Sequence, residues 1–134
     1  MSFDPVHIGV IGTGRFGILH AKTLLGLAES EIVALVDCSE KALAELPEDF
    51  SGIPKYSAPE DALRKSSAEA WVVSTSTADH VQVASMLLEQ DAHVLLEKPI
   101  SGNLQEALKL SPMVSQTQGK FMLGHILLFN SEFR

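Results

Sequence analysis

Apolar residues fall in short runs, separated by longer stretches where they recur every three or four positions. Val6 to Ile11 is apolar at nearly every position, as expected of a strand covered by helices on both faces. Beyond it, Leu19, Leu24 and Leu27 stand at core spacing on a helix reaching Leu27, with Gly26 near its end. Glu31 to Asp37 reads as the second strand, and Ser39 as the N-cap of a short helix to about Leu46. Pro47 to Pro54 reads as loop, Lys55-Tyr56 as a short third strand, and Pro59 as the first residue of a helix to about Arg64. Ala70 to Ser74 is the fourth strand, and Thr77 is placed to cap a helix from Ala78 to Gln90. Ala92 to Glu97 is the fifth, and Ser101 precedes a helix from about Asn103. Pro112 falls inside that helix, where a proline costs about 3 kcal/mol, so a kink is expected, or a break with Ser111 capping a second segment. Gly119 closes it, and Phe121 to His125 is the sixth strand. Strands alternating with helices predict a single α/β domain with a doubly wound, mostly parallel sheet in the order 3-2-1-4-5-6.

Composition narrows the function classes. At 134 residues, 46% hydrophobic and 20% charged, the chain suits one folded domain and excludes a disordered one. Ten basic against seventeen acidic residues give a charge of -7, which repels phosphate backbones and anionic lipid. Nucleic acid and membrane surfaces are therefore not expected partners. The apolar runs are too short to span a bilayer, and the acidic start Met1-Ser2-Phe3-Asp4-Pro5 has no signal-peptide pattern. Cys38 is the single cysteine, which leaves no internal disulfide and no Cys-based zinc site. His7, His20 and His93 lack metal-ligand spacing, so no metal is expected. A reducing, cytoplasmic location is the expectation.

The chemistry begins at Gly12-Thr13-Gly14-Arg15-Phe16-Gly17, a G-x-G-x-x-G that leaves a strand and opens a helix. In that context Gly12 allows the tight turn, Gly14 lets backbone approach a pyrophosphate, and Gly17 lets helix and strand pack closely. Free N–H groups at the helix start then face phosphates, although a glycine-rich turn without ligand shares the pattern. Asp37 lies twenty residues beyond Gly17, the spacing of a carboxylate that accepts from ribose hydroxyls. It would repel a 2′-phosphate, and neither Cys38 nor Ser39 supplies an arginine, which favours NAD over NADP. Asp37 could equally be an exposed turn residue. Glu97-Lys98-Pro99 ends the fifth strand, where it reads as a polariser of a carbonyl or as a solvated charge pair.

Taken with Thr75-Ser76-Thr77-Ala78-Asp79-His80 and His93-Val94-Leu95-Leu96, the Glu97-Lys98-Pro99 stretch resembles the Gfo/Idh/MocA oxidoreductases. The likeness covers essentially the whole chain, residues 1–134, as that family's N-terminal Rossmann domain. It implies that Ser74, Thr75 and Ser76 line the cofactor, with His80 near the nicotinamide side. Glu97 would contact the nicotinamide half, and Lys98 would reach the substrate hydroxyl as the one catalytic residue present. The implied reaction is hydride transfer between NAD and a hydroxyl-bearing substrate such as a sugar or polyol. A stand-alone, non-catalytic NAD-binding protein is the alternative.

Some positions depart from the family pattern. Ser76 stands for a proline and Asp91 for a glycine, and Leu128 and Ser131 replace an arginine and a proline after the sixth strand. Asp tolerates left-handed geometry, so position 91 is a modest departure. The family's C-terminal substrate domain has no counterpart in residues 1–134, which predicts a chain inactive alone. Phe121, Met122, Leu123, Ile126, Leu127, Leu128 and Phe129 crowd the end, so self-association, or contact with that further domain, is expected.

Overall fold

In the computed structural model, which describes residues 3–133, each apolar run becomes a strand. β1 (Val6–Ile11), β2 (Ser30–Val36), β3 (Lys55–Tyr56), β4 (Ala70–Val73), β5 (His93–Glu97) and β6 (Phe121–Gly124) form one sheet. Its order is β3-β2-β1-β4-β5-β6, as the sequence predicts, and every neighbouring pair is parallel. The connections are α1 (Arg15–Leu25), α2 (Glu40–Ala44), α3 (Pro59–Lys65), α4 (His80–Glu89), α5 (Leu104–Leu108) and α6 (Leu110–Gln116).

The near-continuous apolar strands serve two cores. Ile11, Val36 and Val73 join a cluster with Leu87, Leu96 and Leu110, while their neighbours Val10, Leu35 and Val72 join another with Ala21 and Phe50. Successive strand residues point to opposite faces, so each central strand feeds both layers. Gly9 is part of that packing. A Cβ there would lie 2.2 Å from the Trp71 ring, which crosses β1 at its paired position.

Several local expectations are met at their capping residues. Ser39 caps α2, its hydroxyl accepting from the Ala42 N–H at 3.1 Å, and Pro59 opens α3. Asp91 adopts φ 57°, and its carboxylate accepts from the Gln118 N–H at 2.8 Å.

Others are corrected. α1 stops at Leu25, and its inward face is Gly17 and Ala21 with Ile18 and Leu24; Leu19 and Leu27 are half-exposed. Small residues hold that face because α1 must lie close against the end of β1. Thr77 caps nothing. Thr77–Asp79 is a 3-10 turn, α4 begins at His80, and the Ser76 hydroxyl donates to Asp79 at 2.7 Å. Pro112 neither kinks a helix nor leaves Ser111 as a cap. The break comes earlier, at Lys109, and Pro112 falls in the first turn of α6, where a missing N–H costs no intrahelical bond. Asn103 caps this pair of helices, accepting from the Glu106 N–H at 2.9 Å. Within the expected loop from Pro47 to Pro54, a 3-10 turn over Glu48–Phe50 carries Phe50 into the core, fully buried.

Beyond β6, a 3-10 turn over Ile126–Phe129 exposes all four of its apolar side chains, and Met122 on the edge strand is exposed as well. Among the described residues, no helix is long and apolar enough to cross a membrane.

Candidate functional site

A parallel sheet gathers the carboxyl ends of its strands along one edge, and the order here brings those of β1, β2, β4 and β5 together. Gly12 leaves β1 with φ 91°, a conformation that favours glycine, and a Cβ on it would lie 2.4 Å from the Ser74 carbonyl oxygen. A Cβ on Gly17 would lie 1.8 Å from the Gly12 carbonyl oxygen, so α1 packs directly on the loop that precedes it. Gly14 differs from both: a Cβ on it would meet nothing within 4 Å. Packing does not require glycine at that position. The first hydrogen bond of α1 runs from the Ile18 N–H to the Gly14 carbonyl at 2.9 Å, so the Arg15, Phe16 and Gly17 N–H groups have no acceptor in the helix. The first turn of α1 holds no acidic residue, and Arg15 and Phe16 are exposed, the guanidinium 6.0 Å from the ring centre.

Asp37 follows β2 directly. Its Oδ2 accepts from both the N–H and the hydroxyl of Thr13, each at 2.9 Å, and its Oδ1 accepts from the Ser39 N–H at 2.9 Å. Thr13 is thereby turned inward, with its polar groups spent on the carboxylate. Burial pushes the Asp37 carboxyl up, but the Ser39 and Thr13 N–H groups and the Thr13 hydroxyl outweigh it and hold the pKa below its ordinary value. A carboxylate so held is ionised at neutral pH and fixed in direction. Between Asp37 and α4 lies a cleft of about 480 Å3, lined by Gly12, Asp37, Cys38, Thr75, Val83 and Met86, with Pro59 and Glu60 of α3 on its far side.

At the other end of the edge stand the loops after β4 and β5. The Ser74 hydroxyl is buried behind the glycine loop and has no partner. Thr75 lines the cleft and Ser76 is exposed. Glu97 ends β5, and its Oε1 meets the His20 Nε2 at 2.6 Å while its Oε2 accepts from the Lys98 N–H at 3.2 Å. Lys98 itself is exposed, with no acidic side chain in ion-pair contact among the described residues. His80 is not on this surface. It is 2% exposed, its Nδ1 lying 2.7 Å from the Pro99 carbonyl and its Nε2 3.2 Å from that of Thr75.

The strand ends thus bring Gly12, Gly14, Gly17, Asp37, Ser74, Thr75, Glu97 and Lys98 to one edge, while Thr13 and His80 face inward. His20 was legible only as a residue three beyond Gly17, hence on the same flank of α1. Its partner is 77 residues away, and nothing local announces the pair. Among the described residues, no group of three or more His, Cys, Asp or Glu side chains could hold a metal ion.

A dinucleotide fits these residues on three counts: open space in front of Gly14, unpaired N–H groups at the start of α1, and an ionised, oriented carboxylate bordering a cleft. Comparison with known proteins agrees. The family model described as "Oxidoreductase family, NAD-binding Rossmann fold", named GFO_IDH_MocA, matches residues 6–125. The chain is 30% identical over 129 residues to myo-inositol 2-dehydrogenase of Thermotoga maritima, covering 96% of this chain and 39% of that protein. It is 27% identical to scyllo-inositol 2-dehydrogenase (NAD(+)) of Bacillus subtilis, covering 96% and 38%. The fold also matches the crystal structure of scyllo-inositol dehydrogenase from Lactobacillus casei with bound NAD(H) and scyllo-inositol. There the TM-score is 0.85 at 21% identity, covering 96% of this chain and 38% of that one. The chain spans a little under two-fifths of the length of these relatives.

Proposed function

We propose a function from the premise that this chain belongs to the Gfo/Idh/MocA oxidoreductase family as an NAD-binding Rossmann domain. It is the cofactor half of a cytoplasmic dehydrogenase that exchanges hydride with a hydroxyl-bearing substrate of the polyol or sugar class. The observation that carries this reading is the single edge on which an open glycine, a fixed Asp37 carboxylate and the Glu97-Lys98 pair converge. When bound, the nicotinamide supplies the hydride donor or acceptor. Gly14 and the N–H groups of Arg15, Phe16 and Gly17 take the pyrophosphate. Asp37 accepts from the ribose hydroxyls and repels a 2′-phosphate, which selects NAD over NADP. Ser74, Thr75, Ser76 and Glu97 border the nicotinamide half, and His20 fixes the direction of the Glu97 carboxylate. Lys98, exposed and without an acidic partner, is the catalytic residue that polarises the substrate oxygen and exchanges its proton.

One such contact contributes about 100- to 10,000-fold, whereas full positioning of a substrate is worth about 7–11 kcal/mol. The described residues place the cofactor edge and Lys98 but no second wall for the substrate. Binding without turnover is therefore the expected behaviour of this chain. The exposed Met122 and Ile126–Phe129 are the face that a further domain or a second copy would cover.

Three measurements on one preparation test the reading. Calorimetry is expected to give at least about tenfold tighter binding of NADH than of NADPH, a gap that Asp37→Ala narrows. Equal affinities in the unmodified chain would reject the assigned role of Asp37. NADH absorbance with a panel of polyols and sugars should not change. Robust oxidation abolished by Lys98→Ala would show that this domain, or an oligomer of it, assembles a full site. Light scattering should show association at high concentration, and a strict monomer would remove the second copy as an occupant.

A further inference from the structure

We propose that His80 is a positioning residue that ties the loop after β4 to the loop after β5 and so sets the nicotinamide end of the cleft without touching the ligand. The proposal rests on the cofactor reading above, whose family likeness places His80 near the nicotinamide side.

The geometry there leaves no room for direct ligand contact. A ring that is 2% exposed has almost no surface to offer a ligand. Each of its nitrogens instead faces a backbone carbonyl, Thr75 in one loop and Pro99 in the other. A neutral imidazole carries one N–H and serves one of these carbonyls; two protons serve both. The ring cannot easily swing away, because His80 is the first residue of α4, and Val81, Val83, Ala84 and Leu87 bury that helix against the sheet.

The tie matters because the sheet does not supply it. Pairing between β4 and β5 runs from Ala70 and His93 to Val73 and Leu96 and then ends. Past that point, among the described residues, no backbone hydrogen bond joins residues 74–79 to residues 97–103. The two loops are the ones that carry Thr75 and Lys98, and Pro99, the acceptor of the shorter contact, is bonded directly to Lys98. Without the ring, each loop would keep its own conformational freedom, and Lys98 would lose its fixed distance from the wall of the cleft.

The test separates the two ends of the ligand. NADH carries a nicotinamide, whereas ADP-ribose lacks it but keeps the adenosine and the pyrophosphate. In calorimetry, His80→Leu, which keeps bulk and removes both nitrogens, is expected to weaken NADH about tenfold, the worth of one buried hydrogen bond. ADP-ribose binding should stay within about twofold, which also reports that the fold and the glycine loop are intact. His80→Asn places an amide near the Nδ1 position and is expected to recover most of the NADH affinity. Equal losses for both ligands would mean a general structural role and overturn the proposal. So would unchanged NADH binding in His80→Leu, or His80→Asn no better than His80→Leu. An unmodified chain that binds ADP-ribose as tightly as NADH would overturn the nicotinamide reading, and this proposal with it.

Discussion

A Gly17→Ala chain is expected to melt about 10 °C below its parent and to be the least stable of the glycine variants in the loop. The added carbon would lie 1.8 Å from the Gly12 carbonyl oxygen and 2.8 Å from its carbon. Both atoms belong to the backbone, so no rotamer change relieves the overlap. α1 would have to retreat from the end of β1 by more than about 1 Å, opening the layer where Ala21, Ile18 and Leu24 meet Val10 and Val72. Overpacking of this kind typically costs about 1–3 kcal/mol, and displacement of a whole helix puts it at the upper end. Against total stabilities of about 5–15 kcal/mol that is a large fraction. Calorimetric melting of the two chains without cofactor checks it; a midpoint within about 2 °C of the parent would show that α1 shifts freely.

The opposite dissociation is expected at Gly14. Its φ of -70° and ψ of -167° are open to alanine, and its Cβ would point into space. Alanine is a poorer N-cap than glycine by up to about 1 kcal/mol, while its stiffer unfolded chain returns about 0.4–1 kcal/mol. The melting midpoint should therefore barely move. NADH binding should fall by about 100-fold or more, because a methyl in front of the α1 N–H groups holds a pyrophosphate away from them. Two charge-assisted hydrogen bonds lost there account for about 3 kcal/mol. If Gly14→Ala binds NADH as the parent does, the phosphates do not lie over that residue.

These two glycines also mark how far the sequence could be read. Both belong to one motif, and their separate reasons, helix packing for Gly17 and open space for Gly14, match the roles that the motif assigns. Strand order was legible for a related cause: short, largely apolar strands alternating with helices have few topologies available, even though β3 is only the half-buried Lys55-Tyr56. Asp37 was legible through spacing alone, yet its hydrogen bonds to Thr13 were not, because Thr13 reads as part of the loop that meets the ligand. The pair of His20 and Glu97 was illegible, since a contact between residues that far apart leaves no periodic trace. His80 misled more. A histidine at the start of a helix reads as exposed or as ligand-facing, and only the packed loops show it buried with its nitrogens engaged. Thr77 and Pro112 failed through competition at helix starts: the 3-10 turn over Thr77–Asp79 comes before α4, and the break at Lys109 comes before the proline.

The place of β1 at the middle of the sheet governs the order in which the chain can assemble. β1 pairs on one side with β2, which follows closely, and on the other with β4, about 60 residues later; at synthesis rates of about 5–20 residues per second that interval is roughly 3 to 12 s. During it, Val10 and Ile11 present an unpaired edge in the growing chain, with Trp71 not yet available to lie across Gly9. The parallel order that builds the cleft therefore leaves one edge of β1 unpaired in the nascent protein for those seconds, and slow translation between codons 12 and 70 should lower its soluble yield.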